Sequence, residues 1–206
     1  YVVSIPTRTT FRGITHREAL LLRGPAGWSE FSPFLEYSDS ESSSWALAAL
    51  EGAQEEWPDF HRSRVEVNAT LPNIASGELE KVEQVLNRFG SFTTVKIKIN
   101  ELSDARILID EVLRLFPKVK IRLDVNGTWN LEKARTNSAL LADNYEIEYI
   151  EQPVASLPEL HELKKFGGVK IAVDEGIRKN LDHFDPSHIA DFADVAIMKW
   201  QPFGGI

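Results

Sequence analysis

Between residues 65 and 199, short β-branched runs alternate with stretches of helical periodicity, and that alternation restricts the chain to few architectures. The runs are 65–70, 94–99, 119–124, 147–151, 170–174 and 195–199, with starts about 23 to 29 residues apart. Between them, 77–89, 103–116, 130–142 and 156–166 repeat apolar residues at the spacing of a half-buried helix, with Ser103, Asn130 and Ser156 as N-cap candidates. A strand joined to the next through a helix returns parallel to its predecessor. The pattern predicts an α/β fold on a parallel sheet. A doubly wound sheet and a (β/α)₈ barrel both satisfy it, so the choice falls to the residues at the strand ends.

The first sixty residues follow another rule. Residues 2–5 and 17–23 read as strands separated by turn-rich sequence, with Gly24-Pro25-Ala26-Gly27 as a tight connection, which predicts an antiparallel start. Trp28 to Phe34 sets three aromatics around Glu30 and Pro33 and reads either as a loop folded over something or as a satellite apolar cluster. Ser38 to Ser44 offers capping residues for a helix over Trp45 to Trp57, closed by Pro58. The polar link His61-Arg62-Ser63-Arg64 divides an α+β region, 1–62, from the βα region, 63–206.

The second run, Thr94-Val95-Lys96-Ile97-Lys98-Ile99, carries two lysines in an otherwise apolar stretch. In a strand they share one face, roughly 6–7 Å apart. A neighbouring ammonium or a bound cation disfavours the charged form of a lysine and makes it a usable base; solvated lysines protecting an edge strand give the same pattern. The runs that follow end in acids: Asp124 in Leu123-Asp124-Val125-Asn126, Glu151 in Ile150-Glu151-Gln152-Pro153, and Asp174 in Val173-Asp174-Glu175-Gly176. Each alone could open an ordinary loop, but the three are spaced 27 and 23 residues apart, one per successive strand. In a barrel these ends converge on the rim where catalytic groups sit. Three carboxylates there repel one another unless a cation lies among them, and oxygen ligands without His or Cys select a hard ion such as Mg²⁺. The sixth run adds Lys199 to the same rim, in Ile197-Met198-Lys199-Trp200. Lysines flanking a metal suit removal of a proton next to a carboxylate.

Composition narrows the partners. With 23 Lys and Arg against 31 Asp and Glu, the net charge is -8, and no basic tract suits nucleic acid. No apolar run reaches the roughly 18 residues of a membrane span. The expected partner is a small-molecule carboxylate substrate; the oligomeric state is not legible. The absence of cysteine fits a reducing cytoplasm. The histidines, at 16, 61, 161, 183 and 188, show no ligand spacing and receive no role.

As a set, Lys-x-Lys, Asp-x-Asn, Glu-Gln-Pro, Asp-Glu and Met-Lys in this order resemble the enolase superfamily on its muconate-lactonizing side. Phe11-Arg12-Gly13-Ile14-Thr15, Gly24-Pro25-Ala26-Gly27-Trp28 and Glu30 to Tyr37 are similar to the capping region of actinobacterial o-succinylbenzoate synthases. The resemblance implies Lys98 as the acid/base, Lys96 as its pKa partner, Asp124, Glu151 and Asp174 on Mg²⁺, and Asn126 and Glu175 in supporting positions beside them. Lys199 would steady the ring of the intermediate by a cation–π contact, and Gly204-Gly205 would form a turn beside the substrate. The implied fold is a partial (β/α) TIM-type barrel with an N-terminal α+β capping region. The implied activity is a Mg²⁺-dependent carbon–oxygen lyase. It would dehydrate 2-succinyl-6-hydroxy-2,4-cyclohexadiene-1-carboxylate to o-succinylbenzoate through an enediolate, in menaquinone biosynthesis. An N-acylamino-acid racemase or dipeptide epimerase would use the same metal and lysines, and a truncated barrel fragment could keep the ligands without turnover. Gly176 departs from the Ser of many relatives, with the expected loss of a local hydrogen bond at most.

Six barrel strands are legible where a closed barrel has eight, and such a barrel takes about 250 residues. The sixth strand would leave an open edge prone to pairing. Together with a first residue, Tyr1, that is not Met, this gives the expectation that the chain is part of a longer polypeptide carrying strands seven and eight.

Overall fold

The computed structural model describes residues 1–11, 13–180 and 185–206. Arg12 of the capping-region motif and His183 therefore lie outside the described residues. Two units emerge, Tyr1–His61 with Met198–Ile206, and Arg62–Ile197.

In the first unit, β1 (Val2–Phe11), β2 (Ile14–Gly24) and β3 (Gly27–Phe31) form an antiparallel sheet in sequence order. Both early strands run longer than their apolar runs, because ladder hydrogen bonds carry polar residues such as His16 and Arg17 along with their neighbours. Trp28 to Phe31, read as loop or cluster, is instead strand: Arg23 pairs with Trp28 and Leu20 with Phe31 across the tight turn. Helix α1 (Asp39–Gln54) begins at a capping box in which the Ser38 side chain accepts from Glu41 N. It buries Ala48, Ala49 and Ala53. On α1, Glu51 accepts the Trp200 indole N–H at 3.0 Å, which ties down the short C-terminal helix α8 (Trp200–Phe203).

The second unit holds six parallel strands: β4 (Ala69–Leu71), β5 (Thr94–Lys98), β6 (Lys120–Asp124), β7 (Ile147–Glu151), β8 (Ile171–Val173) and β9 (Val195–Ala196). They lie side by side in sequence order with no reversal, which is the order of a (β/α) barrel and lacks the switch point of a doubly wound sheet. The crossovers are α2 (Glu80–Leu86), α3 (Leu102–Leu115), α4 (Leu131–Asn144), α5 (Leu157–Phe166), and the one-turn helices α6 (Glu175–Arg178) and α7 (Ile189–Phe192). Helix α3 buries Ala105, Leu108, Ile109 and Val112, the stripe its periodicity foretells.

Asn130 and Ser156 cap their helices as expected, whereas Ser103 does not: α3 starts one residue earlier, from Glu101 without a side-chain cap. Alternation along the strands then divides the sheet. Val95, Ile97, Ile121 and Leu123 are fully buried under the helices, while Lys96, Lys98, Arg122 and Asp124 take the opposite face. Between Ile121 and Arg122 the register with β7 shifts by one residue at Glu148, which returns Tyr149 and Glu151 to the polar face.

Candidate active site

Ladder register assembles the polar face. Lys98 pairs with Asp124 and Asp124 with Glu151, so three charged residues from three strands share one level; Lys96, Arg122 and Tyr149 form the level beneath. Lys96 Nζ lies 2.9 and 3.1 Å from the two Glu151 oxygens and 3.1 Å from Asp124 Oδ2. Lys98 Nζ is 3.3 Å from the same Asp124 oxygen and donates to Asn126 Oδ1 at 3.1 Å. Burial works against the Lys96 charge, yet Asp124 and Glu151 outweigh it and hold this lysine above its ordinary value. The lowering expected of paired lysines is therefore not found at Lys96, because its nearest charges are carboxylates and not the second ammonium. Burial, then the Asp124 charge, pushes Glu151 up despite Lys96, since one ammonium cannot compensate two buried carboxylates.

The loops beyond the strands supply the remainder. Asn126, at φ 51°, turns back so that its N–H reaches Asp124 Oδ1 at 3.3 Å while its side-chain NH₂ donates to Glu175 Oε1 at 3.3 Å. Gly127 follows at φ 73°, a conformation that costs glycine little, and donates to the Gln152 carbonyl at 2.6 Å. Arg178 donates to Glu175 Oε1 at 3.1 Å and stands 3.6 Å from Asp174 Oδ1. A Cβ at Gly176 would come within 2.7 Å of Leu157 Cδ2 and 2.8 Å of Val173 Cγ2, so a larger residue there requires these side chains to shift.

The second unit accordingly brings together Lys96, Lys98, Asp124, Asn126 and Glu151, with Asp174 and Glu175 on the adjoining strand end. Lys199 belongs to the first unit, as the residue before α8. Among the described residues no three His, Cys, Asp or Glu side chains close on a single point as a metal site would. Asp124 and Glu151 turn to Lys96, and Asp174 has Arg178 beside it. The donor set nevertheless fits a hard divalent ion. Asp124, Glu151 and Asp174 are 2%, 1% and 3% exposed, all their donors are oxygen, and the buried Glu175 Oε2 has no hydrogen-bond partner among the described residues. Reading the sequence alone missed Arg122, whose Nε donates to Glu148 at 2.5 Å and whose guanidinium lies over the Tyr149 ring. The signal was present in its position two before Asp124. It also missed Arg178, one helical turn from Asp174.

Comparison with known proteins decides the family. The Enolase C-terminal domain-like family matches residues 78–206, and the Enolase N-terminal domain-like family matches residues 2–53. The chain belongs to the enolase superfamily. Within it, a protein of Mycobacterium bovis named o-succinylbenzoate synthase is 41% identical over 210 residues, covering 100% of this chain and 63% of its own length. The chain thus spans under two thirds of that relative. Two solved structures share the fold. The L-Ala-D/L-Glu epimerase from Bacillus subtilis has TM-score 0.77 at 21% identity, covering 100% of this chain and 74% of its own. The o-succinylbenzoate synthase from Thermosynechococcus elongatus, complexed with Mg in its active site, has TM-score 0.59 at 20% identity, covering 88% and 71%.

Proposed function

We propose that this chain supplies the catalytic face of a Mg²⁺-dependent carbon–oxygen lyase that converts 2-succinyl-6-hydroxy-2,4-cyclohexadiene-1-carboxylate to o-succinylbenzoate, a step of menaquinone biosynthesis. The observation that carries this reading is Lys98 standing on one ladder level with Asp124 and Glu151. The 41% identity to a named o-succinylbenzoate synthase over the whole chain supports the choice of substrate. Lys98 Nζ takes the proton from the carbon next to the substrate carboxylate, and the C–H electrons pass toward that carboxylate to give an enediolate. The enediolate then expels the hydroxyl, which leaves as water with the proton that Lys98 returns, and the ring becomes aromatic. Lys96, held cationic between its two carboxylates, places a fixed positive charge on the ladder level beneath Lys98. Asp124, Glu151 and Asp174 would hold the metal; Asn126 would steady Asp124 through its N–H, and Glu175 would hold Asn126 and Arg178 in place beside them. When bound, Mg²⁺ supplies positive charge opposite the substrate carboxylate. Lys199 lends positive charge to the ring without moving a proton.

Formation of o-succinylbenzoate, followed by chromatography, tests this reading. Turnover should stop on exhaustive chelation and return with Mg²⁺, and Lys199→Ala should slow product formation by about 30-fold or less, as loss of one cation–π contact does. Turnover that survives complete chelation would contradict the reading.

A further inference from the structure

Gln152 follows Glu151, is fully buried, and has a positive φ of 41°, rare for a residue with a Cβ. Such a conformation persists only where its surroundings hold it, and every polar group of this residue is held. Its N–H donates to the Ala172 carbonyl at 2.8 Å, and its carbonyl accepts from Gly127 N at 2.6 Å. Its side-chain Oε1 accepts from Asp174 N at 3.1 Å and Gly176 N at 3.0 Å, while Nε2 donates to the Val154 carbonyl at 2.8 Å. One side chain therefore ties the end of β7, which carries Glu151, to the backbone of Asp174, while its carbonyl ties the same point to the loop after Asp124. β8 stops at Val173, and just beyond it the Gln152 amide accepts the Asp174 N–H.

We propose that Gln152 is the positioning residue that sets the distance between Asp174 and Glu151, and that it thereby gives the three carboxylates their preference for Mg²⁺ over a larger cation. The inference rests on the metal reading above. Mg²⁺ demands near-octahedral geometry at short distances, whereas Ca²⁺ accepts looser and longer arrangements. Releasing Asp174 from its register penalises the smaller ion more. A role in folding alone would weaken both ions equally, so the ratio of affinities separates the two roles.

Calorimetric titration of the whole chain with Mg²⁺ and, separately, Ca²⁺ tests this in the wild type, Gln152→Met and Gln152→Asn. Met keeps the length and removes both bonds to Asp174 and Gly176; Asn keeps a polar amide, which is gentler on folding, but withdraws it by one carbon–carbon bond. Both variants should lose about tenfold or more in Mg²⁺ affinity, the usual cost of removing support from a metal ligand, and less than about threefold in Ca²⁺ affinity. If Met does not fold, Asn gives the same reading alone. Equal losses for both ions, or no loss for either, overturn the role of Gln152. A wild-type chain that takes up neither ion overturns the metal reading, and this inference with it.

Discussion

Lys96 lies 2.9 Å from Glu151 and 3.1 Å from Asp124, and the consequence is a pH dependence of stability with a definite sign. A lysine raised in the fold contributes its stabilisation fully below its unfolded value of 10.5 and loses it as pH climbs through the folded one. Burial pushes the Tyr149 phenol above its ordinary 10.0, so the unfolded chain ionises first and stability again falls as pH rises. The two effects add. In chelator, the urea midpoint should decline between about pH 9.5 and 11, and Tyr149→Phe should make the decline shallower. A flat midpoint across that range would contradict both assignments. Lys98 and Asp124 were legible in sequence through period-two alternation and strand-end position, and Glu151 through its strand-end position alone. The raised Lys96 was not, because its value depends on which charge lies nearest across the ladder.

At the scale of elements, caps separate what local sequence decides from what packing decides. Ser156 completes a capping box with Glu159, its hydroxyl accepting from Glu159 N, so Ser156→Ala should cost about 1 kcal/mol. Ser103, inside α3, should change stability by less than about 0.5 kcal/mol on the same substitution. Denaturant midpoints of the two variants check the contrast, and equal losses would count against it. Helix α5 was readable because its cap and apolar stripe agree. The start of α3 was misplaced by one residue, since Leu102 joins the helix without a side-chain cap. β3 was misread because Trp28 to Phe31 has no apolar alternation of its own and takes its register from β2.

For the whole molecule, the parallel direction of β4 to β9 was within reach of spacing alone, since each helix must return the chain before the next strand, while their sequential order took the strand-end residues to read. The bulge at Glu148 was not, although it decides that Glu151 and not Ile150 joins Asp124 on the polar face. Between α1 and β4 the chain from Glu55 to Asn68 forms neither helix nor strand, and Arg62 and Arg64 in it are exposed. Brief trypsin treatment should cut there first, because exposed backbone without ladder or helix bonds is readily opened. Peptide mapping reads the result, and first cuts inside α3 or α4 would contradict the two-unit description.

The claim on which the rest depends is that Lys98 removes the substrate proton. Exchange of that proton with deuterated solvent, followed by NMR in the presence of Mg²⁺, measures the step separately from loss of water. Wild type and Lys199→Ala should both exchange it, and Lys98→Ala should abolish exchange together with product formation. Exchange persisting in Lys98→Ala would contradict the account.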